Sequence, residues 1–256
     1  MNIIELVGLR KQFGELVAVD DIDLSIERGE LRGLIGPNGS GKTTLFNLIT
    51  GFIRPTKGKI MWQGQNIVGQ PPHAIAKKGI IRTFQLTTLL KEMTVLQNVV
   101  IACHLHTNMG FFEQFLMTAG TRAKEKAVER RAISLLEAMG IADVKDELAG
   151  ELPHGHQRAL GIAIALACEP QLLLLDEPVT GMNPIETKHM MDRIKMLRDN
   201  GITILLVEHN MKAVMTTCKK ITVVNFGEKI AEGSPQEVSE DKNVIEAYLG
   251  RGETYA

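Results

Sequence analysis

Gly36-Pro37-Asn38-Gly39-Ser40-Gly41-Lys42-Thr43-Thr44 is the stretch that decides how this chain folds. It is a Gly-rich turn ending in Lys and a hydroxyl residue, the spacing of a phosphate-binding loop. The apolar run Leu31 to Ile35, interrupted by Arg32, precedes it and suits a strand. Thr44-Leu45-Phe46-Asn47-Leu48-Ile49-Thr50-Gly51 follows and suits a helix closed by Gly51. Strand, loop and helix in that order are the context the motif requires. The glycines let backbone N–H groups turn inward around phosphate oxygens, and the helix N-terminus adds partial positive charge. Lys42 is placed to reach the outer phosphates, and Thr43 to offer a hydroxyl to Mg²⁺.

Downstream, Leu172-Leu173-Leu174-Leu175-Asp176-Glu177 is an apolar strand ending in two acids. Buried acids are costly unless a cation or a catalytic task employs them. Asp176 at the strand end is placed for the Mg²⁺ shell, and Glu177 to orient and polarise an attacking water. Phosphoryl transfer needs mostly positioning and charge stabilisation, and these groups supply both. Ile204-Leu205-Leu206-Val207-Glu208-His209 is a further strand ending in a polar pair. A lone His is more often structural, but this one emerges on the same sheet edge as the loop and Asp176, which makes it a candidate for contact with the γ-phosphate.

Composition bounds the function. The chain has 256 residues, enough for one large domain or a domain with a lobe. Lys and Arg number 29 against 30 Asp and Glu, a net charge of −1, and aromatics are 4%. Neither supports nucleic-acid binding, which favours a basic face and stacking platforms. Three scattered cysteines, Cys103, Cys168 and Cys218, fit reduced thiols packed as small hydrophobes rather than a disulfide or metal framework. The apolar run Leu160 to Cys168 is too short to span a bilayer, and Glu5 interrupts any N-terminal signal core. Membrane work would therefore pass through a partner.

Strand patterns at Ile3 to Val7, Val19 to Ile26, Gly58 to Trp62, residues 79 to 84, Leu172 to Leu175, Ile202 to Val207 and Ile221 to Phe226 alternate with helical stretches. They read as an α/β core with a parallel sheet. From about Thr94 to Met139 the pattern is helical, with Val128, Ala132, Leu135, Leu136 and Met139 on one face and Gly140 as a stop. Lys124, Glu125, Glu129, Arg130 and Arg131 read as its solvated face. His104 to Thr121 mixes Gly, Phe and Met with few charges, either a packing loop or an exposed docking surface.

Taken together these residues resemble the ATP-binding cassette (ABC) ATPase family over nearly the whole chain. The resemblance implies a P-loop NTPase core with a parallel central sheet, an N-terminal antiparallel β subdomain and a helical signature subdomain. The implied boundaries are 1–85 and 158–235 for the ATP-binding core, 86–157 for the helical subdomain, and 236–256 for a C-terminal helix and tail. It makes Asn38, Gly39, Ser40, Gly41, Lys42, Thr43 and Thr44 the nucleotide cradle, with Phe13 stacking on adenine and Ala18 beside it. Glu177 and His209 become the catalytic pair, and Thr43, Gln85 and Asp176 the Mg²⁺ set.

The chain departs from the family at its signature. Leu152-Pro153-His154-Gly155-His156-Gln157 stands where Leu-Ser-Gly-Gly-Gln is usual. Pro153, His154, Gly155 and His156 would contact the ATP held by an opposing subunit, yet Pro153 offers neither hydroxyl nor N–H. Asn183 replaces the usual Asp in Gly181-Met182-Asn183-Pro184. A homodimer would carry two weakened sites, so pairing with a paralogous ATPase is expected.

Arg82-Thr83-Phe84-Gln85, Lys91-Glu92-Met93-Thr94-Val95, Gly110-Phe111-Phe112 and the ending Val244 to Gly250 are similar to the branched-chain amino-acid importers within the family. That branch implies ATP and Mg²⁺, two membrane permease subunits, a solute-binding protein, and a peripheral place on the cytoplasmic face of the membrane. Phe111, Phe112 and Phe115 are candidates for the permease contact. Related branches move urea, short amides or other amino acids, and a soluble iron–sulfur assembly ATPase is the alternative of another class.

Overall fold

The computed structural model describes residues 1–83, 89–106 and 119–249. The chain opens with β1 (Asn2–Phe13) and β2 (Leu16–Glu27), then β3 (Leu31–Ile35) and α1 (Lys42–Ile49). β4 (Lys57–Trp62), β5 (Gln65–Asn66), α2 (Pro72–Lys77) and β6 (Ile80–Arg82) follow. The helices α3 (Val95–His106), α4 (Ala119–Ala138) and α5 (His154–Ala167) come next. β7 (Leu172–Asp176), α6 (Pro184–Asp199), β8 (Thr203–Val207), α7 (Met211–Thr217), β9 (Lys220–Asn225), β10 (Glu228–Gly233), α8 (Pro235–Glu240) and α9 (Lys242–Leu249) complete it.

Two compact units emerge. One holds Met1–Arg82, Gln171–Glu177 and the chain from Ile194 on; the other holds Thr83–Pro170 and Pro178–Arg193. In the first, a six-stranded sheet runs β10-β9-β3-β8-β7-β6. All its pairings are parallel except β9 with β10. Every residue of β3 and β8 is buried, as is Leu172 to Leu175 of β7. Such continuous apolar strands are what a sheet covered on both faces demands.

The second sheet, β2-β1-β4-β5, is antiparallel. β4 turns into β5 through Gln63 and Gly64, both with positive φ, the conformation that matches strand twist in a two-residue hairpin. Ile4, Leu6 and Leu9 of β1 and Ile22, Leu24 and Ile26 of β2 join Leu45, Phe46 and Ile49 of α1 and Leu172, Leu174 and Leu205 in one core. The helix that begins at the phosphate loop is thus anchored along its length by burial, each such side chain contributing about 1.5–3 kcal/mol.

The second unit packs α3, α4 and α5 on one another. Val128, Ala132, Leu136 and Met139 are buried, as their spacing predicts. Gly140 adopts φ +60° and closes α4 with bonds from its N–H to Glu137 O (2.9 Å) and from Ile141 N–H to Leu136 O (3.0 Å), a paired C-terminal cap. Arg131 lies at the edge of the solvated face, half-buried. Its guanidinium pairs with Glu169 at 2.7 Å and donates to Ala167 O at 3.2 Å, closing the C-terminal end of α5. Phe111, Phe112, Phe115 and the tail from Gly250 lie outside the described residues. No helix among the described residues is long and apolar enough to cross a membrane.

Candidate functional site

The loop between β3 and α1 is held from both sides. Gly41 sits at φ +102°, and a Cβ there would lie 2.4 Å from Ala18 O of β2. A Cβ on Gly36 would lie 2.0 Å from Val224 O of β9 and 2.6 Å from Ser40 Oγ. The β9–β10 turn, Phe226-Gly227, supports the loop from outside: Gly227 N–H donates to Ser40 O (3.0 Å), and Asp20 N–H donates to Gly227 O (2.8 Å). Ala18 thus lies against the loop through its carbonyl.

Lys42 is buried. Its Nζ donates to Gly36 O and Pro37 O, both at 2.8 Å, and to Ser40 Oγ at 3.3 Å. Burial holds its ammonium below the usual lysine range, with Glu177 and then Asp176 opposing the shift. Asn38 and Gly39 crown the loop in solvent, and Thr43 and Thr44 stand in the first turn of α1, Thr43 exposed. At the end of β1, Phe13 leaves 47% of its surface open while Lys11 Nζ lies 4.7 Å from the ring centroid. One aromatic face is thus free to stack a flat ligand.

The two acids close the opposite side. Asp176 ends β7 with its side chain 12% exposed, bonded to Arg82 Nη2 at 2.7 Å. Glu177 takes φ +50°, a left-handed conformation that costs a non-glycine residue about 1–2 kcal/mol, and its N–H donates to Val207 O at 2.8 Å. That turn aims its carboxylate at His209, whose Nε2 lies 2.6 Å from Glu177 Oε1. Both side chains stay accessible to water.

His209 is itself fixed by its neighbours. The buried Glu208 carboxylate accepts from His209 N–H (3.1 Å) and Asn210 N–H (3.4 Å), and Asn210 caps α7 by accepting from Ala213 N–H at 3.1 Å. A rigid strand end and a capped helix hold the imidazole between them. Inward backbone N–H groups, Lys42 and a carboxylate–imidazole pair are what positioning and charge stabilisation of a phosphoryl group require. Thr43 and Asp176 add hard oxygen donors of the kind Mg²⁺ prefers.

Gln85 lies outside the described residues. Pro153, His154, Gly155 and His156 belong to the helical unit. Pro153 is the N-cap of α5, its side chain makes no capping bond, and its carbonyl accepts from Gln157 N–H at 3.0 Å. Asn183 Oδ1 accepts from Ile185 N–H (2.9 Å) and Glu186 N–H (3.0 Å), so it caps α6 as an Asp would.

The sequence did not disclose three contributors. Arg82 stands just before the Gln85 segment, and only the parallel pairing of β6 with β7 brings it to Asp176. Gly227 braces the loop from a hairpin that carries no motif. Tyr248 on α9 lies near the start of the loop; burial raises its phenol above the ordinary range and the backbone of Gly36 opposes the rise.

Comparison with known proteins agrees with this geometry. The family model described as "ABC transporter" matches residues 19–180, and that described as "Branched-chain amino acid ATP-binding cassette transporter" matches residues 228–254. The chain is 42% identical over 249 residues to the high-affinity branched-chain amino acid transport ATP-binding protein BraF of Pseudomonas aeruginosa, covering 97% of this chain and 98% of the relative. It is 41% identical, over the same shares, to the corresponding LivG protein of Escherichia coli K12. A nucleotide-free ATP-binding cassette from an ABC transporter superposes with a TM-score of 0.85 at 32% identity, covering 98% of this chain and all of the other. The family match over residues 19–180 and the similarity along nearly all of its length place this chain in the ABC transporter family, as a subunit that binds ATP and couples its hydrolysis to transport.

Proposed function

We propose that the chain is the motor subunit of an importer for leucine, isoleucine and valine. The observation that carries the chemistry is the Glu177–His209 pair, 2.6 Å apart, facing the same sheet edge as the Lys42 loop. The cargo rests on the named relatives and on the C-terminal match. Lys42 and the loop N–H groups hold the phosphates; Glu177 orients the water and takes its proton; His209 fixes the Glu177 carboxylate and faces the γ-phosphate. The donor set fits Mg²⁺: one hydroxyl, Thr43, and one carboxylate, Asp176, leave the remaining positions for phosphate and water, as this ion prefers. When bound, the ion neutralises phosphate charge.

Two permease subunits, a solute-binding protein and a paralogous ATPase complete the assembly at the cytoplasmic face of the membrane. Pro153 favours the hetero-pair, because it leaves the start of α5 without a hydroxyl for a partner's ATP. The helical segment 86–157 presents that start. The test is reconstitution in lipid nanodiscs with both permeases, with and without the paralogous ATPase. ATP turnover stimulated by leucine-loaded binding protein is expected only from the mixed pair. Equal turnover from this chain alone would remove the hetero-pair, and no response to leucine, isoleucine or valine would remove the cargo.

A further inference from the structure

Arg82 is bonded to the acid that ends β7. Its Nη2 donates to Asp176 Oδ2 at 2.7 Å, while its Nη1 donates to Asn47 Oδ1 at 2.6 Å. Asn47 lies four residues after Thr43 on α1, hence on the same helix face. The Phe46 ring lies beneath, 5.4 Å from the guanidinium carbon, and the Arg82 side chain is 9% exposed. These contacts fix the guanidinium between the helix that carries Thr43 and the strand that carries Asp176.

We propose that Arg82 is a specificity-determining residue: a built-in counter-charge that keeps Asp176 from holding a divalent cation unless nucleotide phosphates supply the other ligands. The inference rests on the reading of Asp176 as a ligand to Mg²⁺. An aspartate at a strand end would otherwise attract free cation. A divalent ion that shares a carboxylate with a guanidinium is repelled, by on the order of tenfold in affinity even at the dielectric of water and more where water is excluded. Neutralised by Arg82, the site discriminates between bare Mg²⁺ and the metal–nucleotide complex, because only the latter brings enough negative charge. The bond to Asn47 and the Phe46 ring hold the guanidinium against the Asp176 carboxylate.

Mn²⁺ binding followed by electron paramagnetic resonance tests this on the full-length protein, without and with ADP. Without nucleotide, Arg82→Gln should bind Mn²⁺ about tenfold or more tightly than wild type, and Arg82→Lys, which keeps the charge, should stay near wild type. Arg82→Gln that binds no more tightly than wild type, or Arg82→Lys that matches Arg82→Gln, overturns the proposal. If Arg82→Gln loses its circular dichroism, Arg82→Met takes its place, and unchanged Mn²⁺ affinity there overturns. Asp176→Asn separates the two readings: loss of Mn²⁺ with ADP present upholds Asp176 as ligand, whereas wild-type binding refutes that assignment and with it the role of Arg82.

Discussion

Replacing Gly41 by Ala tests whether the phosphate loop owes its shape to the two elements that clasp it. The added methyl would sit 2.4 Å from Ala18 O, against about 3.4 Å for ordinary contact, on a backbone at φ +102°. The left-handed conformation costs an alanine about 1–2 kcal/mol. Relief of an overlap of about 1 Å costs a further 1–3 kcal/mol, the usual range for overpacking. β2 cannot yield cheaply, because Asp20 N–H is bonded to Gly227 O at 2.8 Å and Gly227 in turn to Ser40 O at 3.0 Å. The sum is about 2–5 kcal/mol of folding stability. A loop displaced by that overlap also loses a charge-assisted bond to phosphate, about 1.5–3 kcal/mol, so ATP should bind roughly ten- to a hundredfold more weakly. Gly64→Ala is the control: φ is +80° and nothing lies within 4 Å of the new methyl. It should lose only the backbone term, about 1–2 kcal/mol, and bind ATP normally. Urea unfolding without nucleotide and titration with a fluorescent ATP analogue read both quantities. Equal destabilisation by the two substitutions, with normal binding by Gly41→Ala, would refute the clasp.

Glu177→Gln should lower hydrolysis by about 10²–10⁴-fold in a phosphate-release assay while ATP affinity stays within a few-fold, since the loop and Lys42 are untouched; normal turnover would remove Glu177 as base. Glu232 pairs with buried Arg32 at 3.1 Å and with Lys220 at 2.7 Å; burial alone would raise its carboxyl, but the Lys220 bond, Arg32 and Lys229 hold it below 4.5. A depressed carboxylate stabilises the fold above its unfolded value and loses that contribution as pH falls through the folded one. Glu232→Gln should therefore cost about 1–3 kcal/mol at pH 7 and flatten the acid limb of a stability–pH profile; an unchanged profile would contradict this. Burial pushes the Cys218 thiol up to about 12. At pH 8 its labelling by a thiol reagent should be roughly a thousandfold slower than that of an ordinary thiol until urea unfolds the chain, and rapid labelling of the folded protein would contradict its placement.

The sequence made the chemistry of this site more legible than its support. Lys42, Asp176, Glu177 and His209 each stand at the end of a continuous apolar strand or in a spaced Gly motif, signals that arise within ten residues. β10 carries Glu228, Lys229 and Glu232 and half-buried apolar residues, so no run of hydrophobicity marks it. The Arg82–Asp176 bond joins residues 94 apart, and Gly227 reaches Ser40 only once β9 has paired with β3. Such contacts are consequences of sheet order, which no local pattern encodes. The Arg131–Glu169 pair at the rim of the solvated face is another such contact, since Glu169 is brought to Arg131 by the packing of α5 on α4. Asn183 looked like a departure from the family, yet its carbonyl oxygen performs the same helix cap.

Uptake of labelled leucine in the native cells tests the account most directly, with Lys42→Ala introduced at the chromosomal locus of a strain lacking other leucine carriers. Loss of high-affinity uptake, restored by the wild-type gene, is the expected result. Uptake at the wild-type level would contradict the assignment of this chain as the motor of a branched-chain amino acid importer.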